Sequence, residues 1–205
     1  MTRAALITGA GSGLTQATAR LLAEAGFSLA LVGADHDTLD EVHDDLTLNA
    51  PSPHDPIKIV LVEADVSQGE GAAYAVEAAR RLLDCPIETF IGSEGDTFAL
   101  DMFTTQLLED GKRGSAVMVG QVESLVEATA ATYAAQGLRI NGVRRAAARV
   151  LSLDEWGEAL ETARTIRWLL SEEARWITGQ MVPEMRGDSD LGAHFSPGPP
   201  TPPTQ

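Results

Sequence analysis

Short apolar runs alternate along the chain with segments in which apolar residues recur every three or four positions. The runs predict buried strands, and the recurring positions predict helices that bury one face. The predicted strands are Ala4–Ile7, Phe27–Val32, Ile57–Val62, Thr89–Ile91, Ser115–Val119, Leu138–Val143 and Gln180–Pro183. Strand–helix alternation over the whole length predicts an α/β fold, a doubly wound parallel sheet of about seven strands with helices on both faces.

The segments between these strands carry helix start and stop signals. The predicted helices are Leu14–Ala25, a second marked by Leu39, Val42 and Leu46, Ser67 to about Leu83, Phe98–Leu108, Val122–Ala135 and Ser152 to about Leu170. Gly26 is expected to end the first, and Ser67 with Glu70 reads as a capping box for the third. Between Gly95 and Gly114 the chain looks too short for a full crossover helix with its loops.

No repeat or linker divides the chain, which predicts one Rossmann-type domain over residues 1–190. Residues 191–205 form a proline-rich tail that is expected to be disordered because it has little apolar surface to bury.

A glycine turn follows the first predicted strand. Thr8-Gly9-Ala10-Gly11-Ser12-Gly13 has almost no side-chain bulk, and a helix is predicted to start at Leu14. A strand that runs through glycines into a helix N-terminus suits a phosphate, because the backbone N–H groups and the helix dipole face the anion. The general fingerprint G-x-G-x-x-G fails here, since Leu14 stands at its third glycine. A tight strand–helix connection with no ligand is the alternative.

Composition narrows the function classes. The 205 residues carry a formal net charge of −15, which argues against nucleic acids and anionic membranes as partners. No apolar run approaches the length of a membrane span, and no signal segment opens the chain. The single cysteine, Cys85, excludes an intrachain disulfide and fits a reducing compartment, so a cytoplasmic location is expected.

The glycine turn and several later motifs resemble the short-chain dehydrogenase/reductase family. Thr8, Gly9 and Gly13 match the family pattern T-G-x-x-x-G-x-G, whereas Thr15 replaces its last glycine. The later matches, in family order, are Asp65-Val66-Ser67 for D-V-S, residues 114–119 for G-S-I-V-N-I, residues 137–143 for G-I-R-V-N-A-V and residues 171–180 for S-x-x-A-x-x-I-T-G-Q. The resemblance covers nearly everything except the tail and implies the Rossmann fold.

The resemblance implies catalysis by a tyrosine, a lysine four residues later and a serine, and this chain departs from that pattern. The lysine matters because it brings the pKa of the tyrosine toward the working pH. Ala78 follows Tyr74 by four residues and Gly137 follows Tyr133, and the two lysines are Lys58 and Lys112. The segment for the catalytic residues is interpreted as deleted between Gly120 and Glu123. The family's N-N-A-G is also replaced by G-S-E-G at residues 92–95.

The resemblance also implies a dinucleotide site at residues that keep the family register. These are Gly9, Ser12, Gly13, Leu14, Asp65 and Val66, where the family's aspartate takes the adenine amino group and its neighbour supplies a backbone N–H. Asp35 would take the adenosine ribose hydroxyls and repel a 2′-phosphate, which favours NAD slightly over NADP. Alternatively, Asp35 is only the N-cap of the next helix. A further alternative is that the chain binds neither cofactor.

A histidine–aspartate group and three tryptophans each allow two interpretations. His36, Asp40 and His43 share a helix face and could be drawn as a metal site, but their acidic neighbours favour a solvated face and no metal. Trp156, Trp168 and Trp176 cluster late in the chain. They fit either core packing or a subunit interface, where aromatic residues are enriched.

Two function hypotheses follow. The first is a non-catalytic member of the family that binds a dinucleotide or supports a partner, as a homo-oligomer or a hetero-oligomer with an active short-chain dehydrogenase. The second is an NAD(P)-dependent oxidoreductase with a non-standard acid/base residue, for which Glu94, Asp96 and Glu123 are the candidates.

Overall fold

The structure is a computed structural model that describes residues 3–49, 57–145 and 153–183. Its seven strands are Arg3–Thr8 (β1), Phe27–Gly33 (β2), Ile59–Glu63 (β3), Thr89–Ser93 (β4), Gly114–Val119 (β5), Leu138–Arg144 (β6) and Met181–Pro183 (β7). The helices are Gly13–Glu24 (α1), His36–Asn49 (α2), Gly69–Leu83 (α3), Thr97–Glu109 (α4), Glu123–Tyr133 (α5) and Leu153–Leu170 (α6), with 3₁₀ turns at Ala134–Gln136 and Glu172–Ala174.

All strands pair in parallel, in the order β3-β2-β1-β4-β5-β6-β7. Parallel strands need crossovers, and the helices that supply them cover both faces of the sheet. The predicted doubly wound α/β fold with seven strands is therefore confirmed. None of the described helices is long and apolar enough to cross a membrane.

Two apolar cores lie on the two faces, because successive side chains of a strand point in opposite directions. In β1, Ala4 and Leu6 join the core under α3, α4 and α5, whereas Ala5 and Ile7 join the core under α1, α2 and α6. The order of strands reverses between β1 and β4. In such sheets the crevice at the strand carboxyl ends is where ligands bind.

Two predictions about local structure are wrong. Ser67 and Glu70 form no capping box: α3 is capped at Gln68 with no side-chain hydrogen bond, and the Ser67 hydroxyl donates to Asp65 instead. The segment between β4 and β5 is also long enough for a crossover. The 13 residues of α4 rise about 20 Å, which matches a strand of about six residues.

The motifs at residues 137–143 and 171–180, which resemble the family's, are hydrogen-bonded to each other beside β6 and β7. Arg139 in β6 donates to the carbonyl oxygens of Leu169 (2.7 Å) and Ala174 (3.1 Å). Asn141 donates to the Ile177 carbonyl at 3.0 Å and accepts from the Gln180 N–H at 3.1 Å. These bonds tie the end of α6 and the loop before β7 to β6, which gives the motif residues a structural reason to occur together.

The remaining predictions about helix and domain ends lie partly outside the described residues. The cap expected at Ser152 and the tail at residues 191–205 fall there, and the boundary at residue 190 stays a prediction. Gly26, with φ of +81°, follows the C-cap of α1 and donates to the Ala23 carbonyl, as expected for a helix end.

Candidate functional site

The glycine turn connects β1 to α1 at the carboxyl edge of the sheet. Gly9 has φ of +61°, a conformation that residues with a Cβ rarely adopt. Gly11 lies against α2, where a Cβ would come within 2.3 Å of the Thr38 methyl group. Glycine at these two positions lets the chain turn back from β1 and start α1 directly over the strand end.

The N-terminus of α1 has two N–H groups available for a ligand. Ser12 is the N-cap, and its Oγ accepts from the Thr15 N–H at 3.3 Å, while the Gln16 N–H bonds to the Ser12 carbonyl. Within the described part of the chain, the N–H groups of Gly13 and Leu14 have no acceptor, because the first N–H groups of a helix have no partner inside it. Together with the helix dipole they favour an anion.

Thr15 closes the turn from inside, at the position where the family pattern has a glycine. Its Oγ1 donates to the Gly9 carbonyl at 2.7 Å and lies 2.9 Å from the Ser12 Oγ. The Thr15 hydroxyl thus connects the start of α1 to the first glycine of the turn. The sequence marked Thr15 as a departure from the family pattern without indicating this contact.

A cavity of about 200 Å³ lies beside the turn. It is lined by Thr8, Gly9, Ser12, Leu14, Thr15, Thr18, Ile91, Gly92, Ser93, Val119, Arg145 and Ile166. The lining therefore comes from the carboxyl ends of β1, β4, β5 and β6 together with α1 and α6. Its volume is below the ~300–1,000 Å³ of pockets that enclose whole ligands, so it suits one part of a ligand whose remainder lies on the surface.

Asp35 follows β2 and caps α2, as the alternative interpretation held. Its Oδ2 accepts from the Thr38 N–H at 3.0 Å and from the Thr38 hydroxyl. These bonds, the hydroxyl first, lower the pKa of the Asp35 carboxyl. Capping uses one carboxylate oxygen only. Within the described residues Oδ1 has no partner.

Asp65 and Val66 follow β3 on the far side of β2. The Asp65 Oδ1 accepts from the Ser67 hydroxyl at 2.7 Å and from its N–H at 3.0 Å, and these bonds lower the pKa of the carboxyl. The Val66 side chain is buried in the core. Helix α3 approaches closely: a Cβ at Gly71 would lie 2.0 Å from the Asp65 carbonyl oxygen. Gly71 therefore allows the contact that fixes this loop, and sequence reasoning missed it.

The structure brings all predicted site residues to one edge of the sheet but only some of them to the cavity. Gly9, Ser12 and Leu14 line it. Gly13 lies at the start of α1, and Asp35, Asp65 and Val66 follow β2 and β3, beyond the cavity. The predicted set therefore forms a row along the edge, running outward from the cavity.

The three carboxylates proposed as acid/base candidates lie in different surroundings. Glu123 is exposed and its Oε1 accepts from the Arg144 Nε at 2.6 Å. Its own backbone N–H and Arg144 lower the pKa of the Glu123 carboxyl. Glu94 is exposed and accepts from the Gln121 N–H at 3.2 Å. Asp96 is 7% exposed, and its Oδ2 accepts from Thr8 and Ser93.

The tyrosines and lysines lie away from the cavity. Lys58 comes directly before β3, Lys112 lies two residues before β5, and Tyr133 ends α5 before β6. All three are therefore on the side of the amino edge of the sheet. Tyr74 is exposed on α3. Only residues 120–122 connect β5 to α5. Hence neither tyrosine comes near the cavity lining with a lysine beside it.

The two other groups weighed from the sequence are exposed to different degrees. The imidazole of His36 lies 3.6 Å from Asp40 on the exposed face of α2, and the described residues contain no group of three or more side chains placed to hold a metal. The interpretation of the three tryptophans as core residues is wrong, because Trp156, Trp168 and Trp176 are 42%, 39% and 78% exposed.

Comparisons with known proteins agree with this architecture. A family model described as short chain dehydrogenase matches residues 3–95. No curated protein matches the sequence. Among solved structures, levodione reductase has a TM-score of 0.78 at 21% identity, covering 94% of this chain and 98% of its own. A 3-ketoacyl-(acyl-carrier-protein) reductase from Brucella melitensis complexed with NADH has a TM-score of 0.71 at 19% identity, covering 88% and 96%.

A short chain dehydrogenase from Mycobacterium paratuberculosis bound to NAD has a TM-score of 0.72 at 17% identity, covering 88% of this chain and 95% of its own. Identities this low show the fold, and the family model adds the sequence pattern from β1 to just beyond β4. The resemblance to the short-chain dehydrogenase/reductase family is thereby confirmed: residues 3–95 match the family's sequence pattern, and the described residues have the fold of solved short-chain dehydrogenases.

Proposed function

We propose that this protein binds a nicotinamide dinucleotide at the edge of β1, β2 and β3 and does not itself catalyse dehydrogenation. The observation that carries the proposal is the contrast between two connections. The β1–α1 turn has its glycines and two available N–H groups, whereas the β5–α5 connection consists of residues 120–122. The family's serine, tyrosine and lysine would belong to that second connection.

The chain's own residues fit a dinucleotide in a definite order. The N–H groups of Gly13 and Leu14, with Ser12, suit the phosphates. Asp35 suits the adenosine ribose hydroxyls, and Asp65 with the Val66 N–H suits the adenine. When bound, the group would supply a hydride donor or acceptor. Two similar solved structures contain NADH and NAD, which supports this class of ligand.

NAD is preferred over NADP in this proposal. The hydrogen bonds from Thr38 lower the pKa of the Asp35 carboxyl, so the group is ionised at neutral pH. A carboxylate beside the ribose accepts hydrogen bonds from its hydroxyls and repels a 2′-phosphate. The net charge of −15 also disfavours the more anionic cofactor.

The role that remains for a non-catalytic dinucleotide-binding chain is that of a sensor or a partner subunit. Trp168 and Trp176 line a groove of about 390 Å³ at β7, the outermost strand of the described sheet. Exposed aromatic side chains of this size support an interface. We propose that this surface joins the chain to a second copy or to an active short-chain dehydrogenase in a cytoplasmic oligomer.

The first experiment is a calorimetric titration of the purified protein with NAD(H) and NADP(H). Gly13→Asp is the control, because it places a carboxylate where the phosphates would bind. We expect saturable binding that is tighter for NAD(H) and is lost in Gly13→Asp. No binding at millimolar cofactor would contradict the proposal and would leave an interaction subunit.

The competing function is an oxidoreductase with an unusual acid/base residue, and Glu94 is the candidate that the geometry favours. Glu123 is paired with Arg144, and Asp96 holds the ends of β1 and β4 together. Glu94 is exposed and accepts one backbone hydrogen bond. Cofactor turnover with a panel of alcohols and ketones, lost in Glu94→Gln, would establish the enzyme. We expect no turnover from either protein.

A further inference from the structure

The wall of the cavity at the ends of β1 and β4 contains two hydroxyl groups that share one carboxylate. Thr8 ends β1, Ser93 ends β4, and both line the cavity. Asp96 lies behind them at the start of α4. These residues are far apart in the sequence and meet only because β1 and β4 are neighbours in the sheet.

One oxygen of Asp96 receives three hydrogen bonds from this group. Its Oδ2 accepts from the Ser93 N–H at 2.6 Å, from the Ser93 Oγ at 2.9 Å and from the Thr8 Oγ1 at 2.7 Å. The other atom near the Thr8 hydroxyl is also an acceptor, the Ile91 carbonyl oxygen at 3.2 Å. Among the described residues, the hydrogen-bond partners of these two hydroxyls are acceptor oxygens, so both hydroxyls donate.

A hydroxyl has one proton to donate and two lone pairs to accept with. Because Asp96 takes the proton of Ser93 and of Thr8, the remaining capacity of both hydroxyls is to accept. Ser93 is exposed, so its lone pairs are available to a molecule in the cavity. This wall thus presents acceptors, whereas the N-terminus of α1 beside the cavity presents the N–H groups of Gly13 and Leu14 as donors.

Gly92 keeps the acceptor wall open. A Cβ at this position would lie 3.1 Å from the Thr8 Oγ1 and 2.7 Å from the Phe90 ring. Any side chain there would displace the ring or cover the hydroxyl. Gly92 and Ser93 stand at the first two positions of the family's N-N-A-G motif, where the family has asparagines.

We infer that Ser93 is a specificity-determining residue that accepts a hydrogen bond from a hydroxyl or amide group of the bound ligand. Asp96 is the positioning residue that makes it an acceptor. This inference rests on the proposed function. Ser93 ends β4, on the opposite side of β1 from Asp35 and Asp65. The donor therefore belongs to the half of the dinucleotide that is remote from the adenosine, which carries ribose hydroxyls and a carboxamide.

The test compares ligands that have or lack that half. NAD⁺, ADP-ribose and ADP are titrated calorimetrically into the wild-type protein and into Ser93→Ala. Ser67→Ala is the matched control, because Ser67 also donates to a carboxylate, Asp65, but on the adenosine side. One lost hydrogen bond weakens binding by about three- to tenfold.

We expect Ser93→Ala to weaken NAD⁺ by that factor and to leave ADP unchanged, whereas Ser67→Ala changes NAD⁺ and ADP by the same factor. Weaker binding of ADP-ribose by Ser93→Ala would assign the contact to the ribose, and unchanged binding would assign it to the carboxamide. An equal loss of NAD⁺ and ADP in Ser93→Ala, or no loss of NAD⁺, would overturn the inference while wild-type binding remains. Wild-type protein that binds none of the three would overturn the proposed function as well.

Discussion

Glycines with opposite roles occur in two helices of this protein. Gly71 in α3 lets the helix pass the Asp65 carbonyl oxygen, which a Cβ would approach to 2.0 Å, whereas a Cβ at Gly157 in α6 would meet nothing within 4 Å. Alanine is otherwise the better helix former. Gly71→Ala is therefore expected to destabilise the fold by about 1–3 kcal/mol, and Gly157→Ala to stabilise it by about 0.5–1 kcal/mol.

Urea denaturation of the two variants beside the wild type measures both values. Because the substitution is the same and both sites are helical, propensity cancels between them. Equal shifts of the two variants would contradict the close approach at Gly71.

The Asp65 carboxyl predicts a dependence on pH. Hydrogen bonds from Ser67 lower its pKa in the folded chain, so the ionised group stabilises the fold above the ordinary pKa, about 4. That contribution is lost as the pH falls through the lowered folded-state value. Asp65→Asn is expected to lower the Tm at pH 7 and to show a smaller difference from the wild type at about pH 3, below the ordinary aspartate pKa. Thermal scans of both proteins at the two pH values measure this, and a difference that is the same at both would contradict it.

At the scale of elements, Arg139 connects β6 to the end of α6. The guanidinium is half-buried and donates to the carbonyls of Leu169, Ala174 and, at 3.4 Å, Ser171. Burial lowers the pKa of Arg139, yet the group stays charged because the arginine pKa begins so high. Arg139→Met would leave these acceptors without their donor. We expect a loss of about 2–3 kcal/mol.

Chemical denaturation measures that loss, and Arg175→Met is the control because its side chain is exposed. Arg139→Lys is expected to recover part of the stability, since an ammonium group reaches fewer of the three carbonyls than a planar guanidinium does. Full recovery by lysine would show that charge alone matters at this position.

The connections between elements carry the functional contrast. The glycines of the β1–α1 turn would let the backbone come close to the proposed ligand, and the Thr15 Oγ1 donates to the Gly9 carbonyl within the turn. The β5–α5 connection, residues 120–122, leads from strand to helix at once. In our proposal the glycine turn binds the ligand, and the shortness of the neighbouring connection is the reason to expect no catalysis.

At the scale of the whole molecule, the exposed tryptophans predict oligomerisation. Trp168 and Trp176 line the groove along β7, and aromatic side chains so exposed are costly in a monomer. We expect sedimentation equilibrium to show an oligomer that dissociates in Trp176→Ser. Leu48→Ser is the control, because Leu48 is a large exposed apolar residue on α2, away from β7. A monomeric wild type, or dissociation of both variants, would contradict the interface.

Much of the fold was predictable from the sequence because its signals are local. Strand runs, helix periodicity and glycine turns depend on neighbours within a few residues, and the seven predicted strands and six predicted helices all occur. The capping box failed for an equally local reason. The Ser67 side chain could bond either to the N-terminus of α3 or to the Asp65 carboxylate. It donates to Asp65 and leaves the helix without a side-chain cap.

The sequence by itself determined the alternation of strands and helices and the turn over Gly9–Gly13, and it predicted a row of site residues after β1, β2 and β3. Only the tertiary structure decided what meets across the sheet: Thr8 with Asp96, Gly71 with the Asp65 backbone, and the tryptophans with solvent. The physical reason is that such contacts depend on which strands are neighbours and how closely helices pack. Spacing along the chain carries no record of either.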